Sequence, residues 1–308
     1  MSDLTKVGIY HHPQLEAARV YAAELHDRFR AHVPNVWVSS AWDPDRSTRD
    51  LQGTELLVCV GGDGTVLRAA RAVVPNPTRI LGVDMGRLAF LTELTPEGLS
   101  DRFDDVLAGR YRVEERTMLD VRFFDAEDAE ANAPRHALND VILGRTSLGR
   151  PVYINVEVNG DLIGVIRADA VVVATATGST GYSLSAGGPI LDPVARSIVV
   201  TPVAPHLAAA APLVLPHDSV VALSPAASGG VAFSVDGQGE FPAVAHSRVE
   251  VRCSEHVARL IRFDQQPFFA QLGRRLAWLD ERRLAALHAS AGQPGDAEPS
   301  LDIPNRVP

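Results

Sequence analysis

An α/β first half built on a mostly parallel sheet, followed by a β-rich second half, is the fold class this chain predicts. Two observations carry it. Up to about residue 110 strand and helix signals alternate, as βαβ units require; after Arg112 helical periodicity stops and short β-branched runs follow one another between turn residues. In order, Lys6–Tyr10 reads as a strand, Gln14–Ala31 as a helix, Val36–Ser39 as a second strand and Glu55–Val60 as a buried third. Gly61–Thr65 is a glycine turn, Val66–Val74 a helix stopped by Pro75, and Ile80–Val83 another strand. Thr95 is placed to cap a helix with Pro96 at its first position. Leu99, Phe103, Val106 and Leu107 share its apolar face, and Gly109 ends it.

The second half offers Met118–Phe124, Ala137–Leu143, Val152–Val158, Leu162–Ile166, Ala170–Thr175, Ser219–Leu223, Val231–Val235 and Val249–Arg252 as strands. Asn159-Gly160 marks a hairpin, because both central residues of a type I′ turn need positive φ. Pro267–Ala286 reads as a closing amphipathic helix, and the Gly/Pro/Asp/Ser-rich stretch from Ser290 as a disordered tail. The expected divisions are 1–114 (α/β), 115–264 (β-rich), 265–289 (closing helix) and 290–308 (tail).

Composition fits this reading. The 308 residues are 46% hydrophobic and 22% charged, enough for a large core in one or two domains. A net charge of −9 disfavours a general nucleic-acid surface, although not a local basic pocket. No apolar run reaches the ~18 residues a membrane helix needs, so neither a membrane nor a nucleic acid is expected as partner. Cys59 and Cys253 lie far apart and read as thiols, which favours a reducing, cytoplasmic setting.

The sharpest motif is the buried strand Leu57–Val60 running into Gly61-Gly62-Asp63-Gly64-Thr65 and then a helix. Glycines let phosphate oxygens approach amide N–H groups, and the helix start adds favourable partial charge. A carboxylate would repel an anion there, so Asp63 fits a base for an attacking hydroxyl, or a magnesium contact, better than a phosphate ligand; a plain tight turn is the bland alternative. Neither a P-loop nor a dinucleotide glycine fingerprint is present, since no Lys follows and Leu67 stands at the third glycine position. A second cluster, Ala174 to Pro189, gathers small residues and hydroxyls after an apolar strand and suits a ligand loop, with Tyr182 placed to stack on a base or simply to pack. Asn139-Asp140 and Asp236-Gly237-Gln238 read as ribose-binding pairs or as turn residues. The histidines lack zinc-site spacing.

Taken in this order, the chain resembles the NAD kinase family, which transfers the terminal phosphoryl group of ATP to the adenosine-ribose 2′-hydroxyl of NAD. The resemblance spans nearly all of 5–285 and rests on Gly61–Thr65, Gly86-Arg87-Leu88-Ala89-Phe90-Leu91, Asn139-Asp140, Thr177–Pro189, Thr201–His206 and Asp236-Gly237-Gln238. It implies Asp63 as the base, with Gly64, Arg68 and Phe90 beside it. Asn139 and Asp140 would hold ribose and adenine groups, and Arg167 and Asp169 further polar parts. Thr177 and the run Thr180, Gly181, Tyr182, Ser183, Leu184 and Ser185 would form the nucleotide loop, with Arg150, Ala204 and Gln238 as further binding positions. It also implies ATP as donor, Mg2+ or another divalent metal as cofactor, a β-sandwich-like second domain, a final helix returning to the first domain, and a homodimer or homotetramer.

Departures from the family pattern are Asp84 for a usual Asn, Ala89 for a Gly, Ala176 for a Pro, Gly181 for an Ala, and Ala208–Ala211 where an Arg normally stands. Asp84 emerges on the same sheet edge as Asp63. Two rivals share some of these features. A lipid kinase of the wider GGDGT group would need an apolar acceptor pocket, and a non-catalytic dinucleotide-binding module would need no Asp63.

Overall fold

The computed structural model describes residues 4–43, 50–86, 89–127, 129–131, 135–147, 150–206, 211–227, 230–243, 247–263 and 268–276. The first half lays down β1 (Lys6–His11), α1 (Glu16–Arg30), β2 (Asn35–Ser40), β3 (Leu56–Gly61), α2 (Asp63–Ala72), β4 (Arg79–Asp84) and α3 (Pro96–Leu107). Its strands run parallel in the order β2-β1-β3-β4. Every residue of β3 is buried, because helices cover both faces. Ala18, Leu25 and Phe29 of α1 and Leu99, Phe103 and Val106 of α3 pack on one face. Val66, Ala69 and Ala70 of α2 pack on the other. The cap expected at Thr95 forms, with the Gly98 amide donating to Thr95 Oγ1 at 3.2 Å. Helix α2 begins at Asp63 rather than at Val66, so the carboxylate sits in a first turn, where the helix dipole favours it.

The second half adds two long strands, β5 (Arg112–Phe124) and β16 (Arg248–Arg262), which pair antiparallel as a ribbon from Arg112↔Arg262 to Phe124↔Arg248. At one end β16 also lies parallel beside β4, and at the other it pairs with β13 (Val220–Pro225), so the sheet continues through β8 (Val152–Val158) to the edge strand β9 (Asp161–Ala168). Strand β6 (Arg135–Ala137) pairs with β5. A second, antiparallel sheet has the order β12 (Leu213–Pro216), β11 (Ser197–Val203), β10 (Ala170–Thr175), β7 (Asp140–Arg145), β14 (Val231–Val235), β15 (Gln238–Ala243). Val121, Val221 and Val251 from the first sheet meet Val141, Val171, Val173 and Ile198 from the second in a shared core, giving the sandwich that the family resemblance implied.

Three strands went unread in the sequence: β11, β12 and β15. Each contains a proline, which argues against a strand; β12 and β15 are edge strands, where a missing N–H is tolerated. The expected strand Ala137–Leu143 divides into β6 and β7. The Asn159-Gly160 hairpin forms with φ of 54° and 88°. From Gln266 onward the chain is a separate unit, described only as the helix α5 (Phe268–Arg275) and Leu276. The rest of the expected helix to Ala286, and the tail from Ser290, lie outside the described residues. Among the described residues no helix is long and apolar enough to cross a membrane, and both cysteines are free.

Candidate functional site

Strand order reverses between β1 and β3, and open α/β sheets bind ligands where the carboxyl ends of such strands part. The glycine turn after β3 is at that place. Asp63 Oδ1 accepts the Leu91 amide at 2.8 Å and Oδ2 accepts the Phe90 amide at 3.0 Å, which fixes the plane of the carboxylate. A carboxylate offers roughly four lone-pair sites, so an approaching hydroxyl can still be accepted. Gly64 is exposed, with open space where a Cβ would be. Asp84 pairs in register with Gly61, and its Oδ1 accepts the Gly86 amide at 3.2 Å, so it shapes the turn after β4.

A buried network holds the segment that holds Asp63. Arg262 donates from Nη1 to the Leu91 carbonyl and to Glu93, each at 3.1 Å, and from Nε to Glu114 at 3.1 Å. Glu114 also takes the Arg116 Nε at 2.9 Å, and Arg116 Nη1 reaches Thr177 Oγ1 at 3.2 Å. Burial opposes the charge on Glu114, but Arg116 and Arg262 outweigh it and hold the carboxyl down at about 2. Asp63 and the start of the serine/threonine-rich loop are thus joined by one set of ion pairs and hydrogen bonds. Sequence patterning gave no sign of it, because its members are spread from Leu91 to Arg262.

That loop folds over Asn139-Asp140. The Thr175 amide donates to the Asn139 carbonyl at 2.9 Å, and a Cβ on Gly178 would stand 2.1 Å from the same oxygen, so only glycine fits. A Cβ on Gly181 would lie 3.6 Å from Asn139 Nδ2 and 3.8 Å from Asp140 Oδ2. Thr177 and Ser183 are buried, the latter bonded to Thr201 Oγ1 at 2.8 Å; Thr180 Oγ1 donates to the Thr177 carbonyl at 3.1 Å. Tyr182, 43% exposed, opens the short helix α4 (Tyr182–Ser185), on which Leu184 is half-buried and Ser185 exposed. Asp236 is a clamp. From a left-handed turn (φ 50°) its carboxylate accepts the amides of Leu138, Asn139 and Asp140 at 2.9, 2.8 and 3.1 Å, which diverts those N–H groups from a ladder and splits β6 from β7. Burial, then the Asp236 charge, push Asp140 up to about 7. Burial raises Asp236 too, but its three amide donors favour its ionised form, so the proton of the pair rests on Asp140.

The remaining expected residues sit elsewhere. Arg68 lies over the Trp42 ring at 4.9 Å and, with Gln238, lines a cavity of about 660 Å3. Arg150 lines a cavity of about 360 Å3 with Tyr153 and Gly230, and Arg167 an apolar groove with Ile163 and Val200. Asp169 is paired with Arg145 at 2.9 Å, and Ala204 is exposed at φ 47°. Among the described residues no three His, Cys, Asp or Glu side chains gather as a metal site.

Residues 3–111 match the family described as ATP-NAD kinase N-terminal domain, and 138–263 the ATP-NAD kinase C-terminal domain. An NAD kinase of Dehalococcoides mccartyi is 35% identical over 264 residues, covering 86% of this chain and 93% of that protein. One from Heliobacterium modesticaldum is 38% identical over 235 residues, 76% and 82% of the two chains. Yeast NADH kinase, solved in complex with NADH, superposes with a TM-score of 0.81 at 22% identity over 90% of this chain and 88% of its own. An Archaeoglobus fulgidus NAD kinase solved with ATP gives 0.69 at 24% identity, over 87% and 97%. With both family domains matched in order and relatives above 30% identity matched over most of their length, this chain belongs to the NAD kinase family.

Proposed function

We propose that this chain is an ATP-dependent NAD kinase that phosphorylates the adenosine-ribose 2′-hydroxyl of NAD or NADH. The carboxylate of Asp63, fixed by two backbone amides at a strand-to-helix turn, is the observation that carries the reading. The ribose oxygen attacks the terminal phosphorus of ATP, the new O–P bond forms as the bond to the ADP oxygen breaks, and Asp63 takes the hydroxyl proton. Phosphoryl transfer is mostly positioning and charge stabilisation. Asn139 and Asp140 hold the ribose and adenine, and the loop Thr177–Ser185 closes on them with Tyr182 against a ring. Gly64 and Phe90 border the base, and Arg68 and Gln238 meet phosphates. Mg2+ bound to the ATP phosphates would neutralise part of their charge and would need only one or two protein carboxylates, for which Asp63 at the glycine turn is the candidate.

Arg150, Arg167, Asp169 and Ala204 serve the site through assembly of a cytoplasmic homodimer or homotetramer. Exposed Leu162, Ile163 and Val165 on the edge strand β9 support a face for a second copy. The test is a coupled assay of the purified protein with ATP, Mg2+ and NAD or NADH, followed by identification of the phosphorylated position. Formation of NADP(H) is expected, and no product from either dinucleotide would overturn the reading.

A further inference from the structure

Leu91 is held from two sides. Its amide donates to Asp63 Oδ1 at 2.8 Å, while its carbonyl accepts from Arg262 Nη1 at 3.1 Å. Behind it, Arg262 Nε and Arg116 Nε reach the same oxygen, Glu114 Oε1, at 3.1 and 2.9 Å, and Arg116 Nη1 donates to Thr177 Oγ1 at 3.2 Å. Arg112 Nη1 takes the other oxygen, Glu114 Oε2, at 3.0 Å, which fixes the plane of the carboxylate. The side chains of Arg116, Glu114 and Arg262 are only 7%, 12% and 8% exposed. Solvent therefore screens these contacts little, and moving Arg116 moves the oxygen that orients Arg262.

Stability is a poor reason for such a line. Desolvating several charges costs about as much as their pairing returns, and apolar side chains of similar volume often serve a core as well or better. What the charges add is geometry, since a guanidinium fork fixes direction as well as distance. Geometry counts at both ends. Thr177 precedes the turn Gly178–Thr180 of the nucleotide loop and accepts Thr180 Oγ1 on its carbonyl at 3.1 Å, and Asp63 must keep a lone pair aimed at a hydroxyl. A misplacement of about 1 Å at such a group costs on the order of 10²-fold in rate. The residues between the ends stand on β5 and β16, the ribbon that the two halves share.

We propose that Arg116 and Arg262, joined through Glu114, are positioning residues that transmit the packing of the nucleotide loop to Asp63, so that a filled dinucleotide site seats the base. The role of Asp63 rests on the kinase reading above; the link between the loop and the Leu91 segment does not. Neither arginine touches a substrate in this scheme, so the line acts on turnover and leaves ATP binding alone.

Thr177→Val keeps the outline of the side chain and removes the oxygen that Arg116 holds, while Thr177→Ser keeps that oxygen. The test is hydrogen–deuterium exchange of the Leu91 amide in the full chain with and without saturating NAD, alongside steady-state kinetics with ATP and Mg2+. NAD should slow the exchange at least tenfold in the parent and in Thr177→Ser, and less than twofold in Thr177→Val. Turnover should fall at least tenfold in Thr177→Val, with KM for ATP within twofold, and return in Thr177→Ser. Arg262→Lys keeps the charge but cannot span Leu91 and Glu114 at once, and should reproduce both losses from the other end if the first variant fails to fold. Combined, the two substitutions should lower kcat no further than the worse one alone, as residues on one line do. Losses that multiply, unchanged kcat and exchange in folded Thr177→Val, or a raised KM for NAD with kcat unchanged overturns the proposal. Absence of NADP from the parent would instead overturn the kinase reading, and the exchange measurement would still decide the link.

Discussion

Asp63 anchors the Phe90 and Leu91 amides and is at the same time the proposed proton acceptor. Asp63→Asn keeps the size but turns an NH2 towards one of those amides. The expected result is a fall in turnover of about 10²–10⁴, with a stability loss of about 1–3 kcal/mol from the orphaned N–H; steady-state kinetics and urea melts measure the two. Asp140 carries a different prediction. Its carboxyl is raised from 3.8 to about 7, so between those values the folded protein keeps a proton that the unfolded chain releases. Stability therefore falls as pH rises through that window. Asp140→Asn should lessen the fall, Asp236 contributing the rest, and leave the variant more stable than the parent at pH 8, which urea melts at pH 5 and pH 8 would show. Asp63 was legible in the sequence because glycines surround it, whereas the duty of Asp236 was not, since its partners lie about a hundred residues earlier and only folding brings them together.

Among elements, the parallel strands and α1 were readable because each buries a periodic face, and the cap at Thr95 was local chemistry. The strands with proline and the ion-pair network were not, because edge position and long-range pairing leave no local period. That network ties the Leu91 segment to Thr177. Glu114→Gln strands two buried guanidinium groups and should cost about 3–5 kcal/mol. Glu114 is held at about 2 when folded against 4.5 ordinarily, so its contribution is present above 4.5 and lost as pH falls towards 2. Acid unfolding followed by circular dichroism should therefore begin at higher pH for the parent than its other carboxylates imply, and the variant should lack that component.

For the whole molecule, β9 is the edge that a second copy would cover. Leu162, Ile163 and Val165 are 59%, 56% and 50% exposed there. Ile163→Lys should reduce the assembled mass in light scattering while leaving the melting temperature of the subunit within a few degrees; an unchanged mass would place the interface elsewhere. The ribbon of β5 and β16 has another consequence. It begins beside β4, in the parallel part, and ends beside β13, in the sandwich, so neither half owns it. Differential scanning calorimetry should accordingly show one cooperative endotherm for the two halves. A fragment stopped near Tyr111 would leave β4 as a raw hydrogen-bonding edge, a template for self-association, and should come out of expression as inclusion bodies.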